Sequence, residues 1–296
     1  MLHKILLNAF RTAFRATETL LPPLAGKWII KIFFKPRRFK RPAGEYKLIA
    51  GAEKQQVQFT SDYSWRPAED DYYTLYRWGS GPAVLLVHGW EGRGSQLGHL
   101  VQPLVAAGYQ VLTFDAFAHG DSPGNKTNLP EFADIVRHIE KTTGGFEAII
   151  GHSFGGIVAA LAIREGVSAK KLITIGAPAQ MVYIFAEFGR QINATRKSTS
   201  ILAKYIENFT GRKIDEFSLT SILAGMQTPG LIYHDVADKE VAYSQAVELA
   251  KHWQNGELRT TNGLGHRRIL RDETFIREII DFIHRRESIA VGEAVA

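Results

Sequence analysis

Residues 149–157 read Ile-Ile-Gly-His-Ser-Phe-Gly-Gly-Ile, and they are the most informative segment of the sequence. It contains a Gly-x-Ser-x-Gly motif that follows an apolar, strand-like segment and precedes an alanine-rich, helix-like segment. A serine on so tight a turn has a strained backbone, and side chains two residues away on either side would collide. Gly151 and Gly155 remove those side chains. The motif therefore predicts that Ser153 projects from a helix N-terminus, where the Phe154 amide and the helix dipole favour negative charge.

Strand-like and helix-like segments alternate on both sides of this motif. The strand-like runs are residues 57–59, 72–78, 83–87, 111–114, 148–150, 172–175, 231–233 and 258–261. Helical patterns occupy residues 97–105, 132–139, 157–163, 242–253 and 274–284. Such alternation implies right-handed crossovers and places functional groups at the carboxyl ends of parallel strands. The sequence therefore predicts an α/β fold, a mostly parallel sheet of about eight strands with helices on both faces.

One stretch interrupts the alternation. Between Pro178 and Pro229 the sequence has a helical texture and no clear strand. A connection this long inside a compact domain is usually a functional insertion. We therefore expect residues 179–228 to form a helical cap over the strand ends, inserted between core segments 47–178 and 229–290.

The first 46 residues form a separate leader. Residues 1–47 contain 11 lysines and arginines and two acidic residues, whereas the whole chain has a net charge of +6. The rest of the chain is therefore slightly acidic, which argues against a nucleic-acid partner. Apolar residues recur at helical spacing before and after a break at Pro22-Pro23. Two interpretations stay open: a helix pair that lies on an anionic membrane surface, or helices that pack on the body or on a second subunit.

The composition narrows the chemistry. The chain has 296 residues and no cysteine, which excludes disulfides, thiolate catalysis and cysteine-ligated metals. No apolar run reaches the ~18 residues of a membrane-spanning helix, and no secretory signal is clear. We expect a cytoplasmic protein, or one peripheral to a membrane through residues 1–46.

These features resemble the α/β-hydrolase fold family of esterases, lipases and related enzymes, over residues 55–286. In that family the nucleophile follows the fifth strand, and an acid and then a histidine follow later in the chain. The resemblance implies that Ser153 is the nucleophile, Asp238 the acid and His266 the base. It also implies the α/β-hydrolase fold with its helical cap insertion.

Two aspartates are candidates for the acid of this triad. Residues 231–241 are similar to the family's strand followed by His-Gly-x-x-Asp, and that spacing selects Asp238. Asp235 stands where the family usually has glycine, and it remains the rival acid. His266 follows the last strand in a glycine-containing loop that can reach back towards the serine.

Two further loops are similar to family motifs. His88-Gly89-Trp90 follows the buried strand 83–87, and the resemblance implies that the Trp90 amide joins the Phe154 amide in an oxyanion hole. Two such amides contribute about 3 kcal/mol each to lowering the barrier. Residues 115–122 are similar to a loop that supports the site, so Asp115 and His119 are expected to have structural roles.

The resemblance implies hydrolysis of carboxylic esters through an acyl-enzyme, without a metal or an organic cofactor. Aromatic residues near the site and in the cap indicate an apolar pocket for short-to-medium acyl chains, or else part of the cap core. The predicted substrate-binding residues are Phe117, Tyr183, Phe185 and Phe188. The expected partner is a small-molecule ester. The alternatives are a membrane-associated lipase, a thioesterase or an acyltransferase, and a non-catalytic binding protein on the same scaffold.

Overall fold

Eight strands form one sheet in the computed structural model, which describes residues 2–67 and 71–285. The strands are β1 Glu53–Gln58, β2 Tyr72–Trp78, β3 Ala83–Val87, β4 Gln110–Asp115, β5 Ala148–His152, β6 Leu172–Ile175, β7 Gly230–Asp235 and β8 Gly256–Thr261. Their order is β1-β2-β4-β3-β5-β6-β7-β8. Strand β2 runs antiparallel to β1 and β4, and the remaining pairs are parallel. The predicted fold class is confirmed.

The core lies on both faces of this sheet. All residues of β3 are buried, and alternate side chains point to opposite faces. Leu85 and Val87 belong to one buried cluster, and Val84 and Leu86 belong to the other. Helices therefore cover both sides of the sheet, as an apolar parallel sheet requires.

The α-helices surround the sheet and continue into the leader and the region of the predicted cap. In the described residues they are α1 Leu2–Leu20, α2 Pro22–Phe33, α3 Ala43–Ala50, α4 Val101–Ala106, α5 Leu129–Thr143, α6 Phe154–Arg164, α7 Met181–Ile192, α8 Arg196–Thr210, α9 Leu219–Leu223, α10 Ser244–His252, α11 Gly265–Arg268 and α12 Glu273–His284. Helices α7 to α9 lie between β6 and β7, within the predicted cap 179–228. The predicted end of the core at residue 290 lies outside the described residues.

The longer helices have defined ends. The Asn128 side chain caps α5 by accepting a hydrogen bond from the Glu131 amide at 2.9 Å. Gly144 ends the same helix with a left-handed backbone, φ 72°. Thr195 caps α8 in the same way as Asn128 caps α5. These caps fix where the helices begin relative to the strands.

The helix after β3 differs from the sequence prediction. A 3-10 helix occupies Gly94–Leu100, and the α-helix begins only at Val101. Pro103 explains the late start, because proline lacks an amide hydrogen and is tolerated only in the first turn of an α-helix. Helix α3 was not predicted from the sequence, and it runs across residue 46, the predicted end of the leader.

The leader helices pack against the protein body. Phe14 of α1 and Ala25 and Ile29 of α2 are fully buried in the main core cluster. Helix α2 lies against α8, and α1 lies against α7. Within residues 2–67 and 71–285, no helix is both long enough and apolar enough to cross a membrane.

Candidate active site

Ser153 lies on the sharp turn between β5 and α6. Its backbone has φ 55° and ψ −123°, which is strained for a residue with a side chain. A Cβ atom at Gly151 would lie 2.3 Å from the Gly155 carbonyl oxygen, and one at Gly155 would lie 2.3 Å from that of Val87. Both positions therefore need glycine, and the turn projects the serine side chain above the strand ends.

Asp238 and His266 form a hydrogen-bonded pair. The distance from His266 Nδ1 to Asp238 Oδ2 is 2.7 Å, and both side chains are nearly buried. Asp238 Oδ1 accepts hydrogen bonds from the amides of Glu240 at 2.8 Å and Val241 at 2.9 Å. Burial opposes ionisation of Asp238, but these hydrogen bonds outweigh it, so its pKa lies below the usual value. The acceptor at Nδ1 assigns the proton to that nitrogen and leaves Nε2 able to take another.

Asp235 has a different set of partners. Its carboxylate accepts hydrogen bonds from the Ala237 amide at 2.9 Å, the Thr261 hydroxyl at 2.7 Å and the Leu264 amide at 2.9 Å. Ala237 lies in the loop that carries Asp238, Thr261 ends β8, and Leu264 directly precedes α11, which carries His266. The structure therefore places Asp238 against the imidazole and leaves Asp235 to shape the loops.

Ser153 and His266 line the same cavity. Within the part of the chain that the structure describes, the Ser153 hydroxyl has no hydrogen-bond partner. Hydrogen bonds between a nucleophile and its base are often long before substrate binds and tighten only in the substrate complex. The two groups thus share one cavity without a hydrogen bond between them.

The turn after β3 passes directly over the serine. A Cβ atom at Gly89 would lie 3.1 Å from the Ser153 Cβ, so the glycine permits this close approach. Trp90 and Phe154 both line the cavity, and their ring centroids are 5.5 Å apart. The residue after Trp90, Glu91, has a left-handed backbone with φ 58°. The structure therefore brings the predicted oxyanion residues together beside Ser153.

Two buried histidines hold this turn. His88 Nδ1 donates to the Gly89 carbonyl at 2.7 Å, and His88 Nε2 accepts from the Ala116 amide at 3.1 Å. His119 Nδ1 donates to the Phe117 carbonyl at 2.9 Å, and its Nε2 accepts from the Glu91 amide at 3.0 Å. Burial lowers the pKa of both rings, so both are neutral. Their ring nitrogens are occupied by backbone groups, which gives them structural roles.

Asp115 supports the neighbouring loop. Its carboxylate is fully buried and accepts hydrogen bonds from the amides of Gly94 and Asp121, both at 2.8 Å. Arg41 from the leader donates to the same carboxylate at 3.2 Å. The expected structural roles of Asp115 and His119 agree with these contacts.

Sequence reasoning missed one residue beside His266. His152 Nε2 donates a hydrogen bond to the His266 backbone carbonyl at 2.9 Å, and the two ring centroids are 4.6 Å apart. Burial, together with the nearby His266, lowers the pKa of His152 to about 3. The only sequence signal was its place in the motif, directly before the serine.

The predicted substrate-binding residues separate into three groups. Tyr183 and Phe188 line a cavity of about 940 Å³ that also contains Ser153. Phe185 is 4% exposed and lies behind this wall, outside the cavity lining. The prediction that Phe117 binds substrate is wrong, because its side chain is fully buried in the core. Its ring centroid lies 3.5 Å from the Arg66 guanidinium. The structure does not place Phe117 in the cavity.

The fold and this site define an α/β protein with a strained serine turn and an adjacent Asp–His pair. A model of the "Alpha/beta hydrolase family" matches residues 84–223. A human "Serine hydrolase-like protein" is 33% identical over 88 residues, which cover 27% of this chain and 43% of that protein. The chain thus matches less than half the length of the curated relatives.

Solved structures share the fold. An esterase from Exiguobacterium antarcticum superposes with a TM-score of 0.59 at 17% identity and covers 78% of this chain and 99% of its own. A structure described as a putative lipase from Acinetobacter baumannii gives a TM-score of 0.61 at 17% identity, with 83% and 97% coverage. The chain therefore has the α/β-hydrolase fold, and the family model matches a little under half of its length.

Proposed function

We propose that this protein is a serine hydrolase that cleaves carboxylic esters through an acyl-enzyme intermediate. The observation that carries the proposal is the 2.7 Å Asp238–His266 hydrogen bond at the cavity that also holds the strained Ser153. A carboxylate on Nδ1 fixes the imidazole tautomer and stabilises the imidazolium that forms during turnover. The esterase and lipase that share the fold give further support.

The proposed reaction has two halves. Ser153 Oγ bonds to the ester carbonyl carbon while its proton passes to His266 Nε2, and the carbonyl oxygen becomes an oxyanion. The amides of Trp90 and Phe154 stabilise that charge. The C–O bond to the alcohol then breaks, and His266 returns the proton to the leaving oxygen. Water repeats the sequence on the acyl-enzyme and releases the acid and free Ser153.

The cavity lining supports an acyl substrate of short to medium length. Trp90, Phe154, Tyr183 and Phe188 present aromatic surface on the cavity. Apolar linings with a few polar groups are typical of small-molecule pockets, and burial of acyl methylene groups stabilises the complex.

Labelling with a fluorophosphonate probe tests the nucleophile. We expect a single adduct on Ser153 in the wild-type protein and none in Ser153→Ala. With nitrophenyl esters of two to sixteen carbons, the same variant should lose about 10⁴-fold or more in kcat while staying folded. The matched control is Ser200→Ala, at an exposed position on α8, and it should keep full labelling and turnover. Equal turnover in Ser153→Ala and wild type would overturn the proposal.

A further inference from the structure

We propose that the leader helices α1 and α2 are part of the substrate site, and that Phe33 of α2 limits the length of the acyl chain that the site accepts. The inference rests on the proposed ester hydrolysis. It assigns an acyl-binding compartment, defined as the part of the cavity lined by α1, α2 and the helices α7 and α8.

Phe33 connects the serine turn with α7. It lines the same cavity as Ser153. Its ring centroid lies 6.4 Å from that of Trp90, 5.5 Å from Phe185 and 5.1 Å from Phe188. Trp90 in turn contacts Phe154, the residue next to the nucleophile. An acyl chain bound to Ser153 and directed along these rings therefore meets Phe33.

Apolar surface continues beyond Phe33. Five apolar residues line the same cavity: Leu7 and Phe10 of α1, Ile192 of α7, and Ile206 and Phe209 of α8. These residues come from both the leader and the region between β6 and β7, so the space between the two segments offers apolar surface to an alkyl chain. At about 940 Å³ the cavity is at the upper end of the range for small-molecule pockets. The volume therefore accommodates a longer chain once Phe33 no longer obstructs it.

The leader is held in place at both ends of this compartment. Arg37 binds the Glu91 carboxylate through Nε at 2.8 Å and Nη2 at 2.7 Å, directly after Trp90. Arg11 donates to the Gln191 carbonyl at 2.7 Å, and Glu18 accepts from the Thr195 amide at 2.9 Å. These contacts tie the leader to the serine site and to α7 and α8. Phe33 is thus a fixed wall of the site.

The test is the chain-length profile of nitrophenyl esters from two to sixteen carbons. In Phe33→Ala we expect the kcat/KM ratio of the twelve-carbon to the four-carbon ester to rise about tenfold. The reason is that one more methylene accepted in an apolar pocket changes kcat/KM by about tenfold or more. Phe33→Trp should lower the same ratio. The readout is the ratio of the two esters and not the absolute rate, because a change that Phe33 transmits through Trp90 affects both esters alike.

The matched control is Ile29→Ala, one turn earlier on α2. Ile29 is fully buried but does not line the cavity. This variant should lower the melting temperature and leave the chain-length ratio unchanged, which separates a wall from general packing. An unchanged ratio in both Phe33 variants, with normal labelling of Ser153, would overturn the inference and leave the proposed function intact. Absence of both labelling and ester turnover in the wild type would overturn both.

Discussion

Asp235 ends β7 and Asp238 lies three residues later in the loop that follows, yet their carboxylates face different groups. Asp238 contacts the imidazole of His266, whereas Asp235 accepts hydrogen bonds from Thr261 and Leu264. A family pattern can name both as candidates, but only the path of the backbone decides which carboxylate reaches the ring.

Replacing each aspartate by asparagine separates the two roles. In Asp238→Asn we expect kcat for a four-carbon ester to fall about 10⁴-fold, because an amide can impose the wrong imidazole tautomer. In Asp235→Asn we expect a lower melting temperature and a much smaller loss of kcat, since that carboxylate only shapes the loops. Steady-state kinetics and thermal unfolding of both variants measure this. A larger kcat loss in Asp235→Asn would reverse the assignment.

His152 gives a pH dependence of stability. Its pKa is lowered to about 3 in the folded protein, against an ordinary value of 6.5. Between those values the unfolded chain binds a proton that the folded chain does not, so folding loses stability as the pH falls below about 6.5. One such group contributes a slope of up to about 1.4 kcal/mol per pH unit.

Urea unfolding of His152→Gln between pH 4 and pH 7 tests that slope. We expect the free energy of unfolding to depend less steeply on pH than in the wild type, although the variant loses the hydrogen bond to the His266 carbonyl at every pH. The control is His252→Gln, at an exposed position on α10, which should keep the wild-type slope. Identical slopes in His152→Gln and wild type would show that another group dominates acid unfolding.

At the scale of elements, the strands of the central sheet were the most predictable. Strands β2, β3 and β6 have the bounds that the sequence indicated. For β3 and β6 the reason is that short, mainly apolar runs suit strands buried on both faces. Helix α3 was missed, since Ala43–Ala50 has no buried residue and therefore no apolar stripe to recognise.

The serine turn was also readable, because its glycines are required by contacts within a few residues and with the adjacent β3. The contacts made by Phe33 and Phe117 were not. Phe33 meets residues about 60 and 150 positions later in the chain, and local periodicity carries no information about such pairs. Phe117 belongs to the supporting loop 115–122, but its side chain is buried in the core against Arg66. Contacts between residues far apart in the sequence therefore determine which side chains line the cavity, and local sequence patterns do not reveal such contacts.

At the scale of the whole molecule, the charges that line the cavity are unbalanced. Each glutamate of the lining is paired with an arginine of the same lining: Glu45 with Arg93, Glu91 with Arg37, Glu187 with Arg190 and Glu240 with Arg267. Four further cations line the cavity without a carboxylate partner among the described residues: Arg11, Lys35, Lys239 and Arg271. The cavity therefore has an excess of positive charge, although the chain beyond the leader is slightly acidic.

This excess predicts a preference for anionic esters. A cleft lined by one sign of charge raises the local concentration of oppositely charged substrate, and salt screens the effect over about 10 Å at 0.1 M. For a nitrophenyl ester and its carboxylated analogue of equal acyl length, we expect a higher kcat/KM with the anionic substrate at low salt. That advantage should shrink as the ionic strength rises, while the neutral ester is unaffected.

Single charge removals assign the effect to the cavity. Lys35→Gln and Lys239→Gln should each lower kcat/KM for the anionic ester, roughly threefold at low salt, and leave the neutral ester unchanged. Lys27→Gln is the matched control, because Lys27 is exposed on α2 but does not line the cavity. An equal loss of kcat/KM for the anionic ester in Lys27→Gln would mean that the net charge of the molecule attracts the anion. Equal kcat/KM for the two esters at every salt concentration would show that the unpaired cations do not act on the substrate.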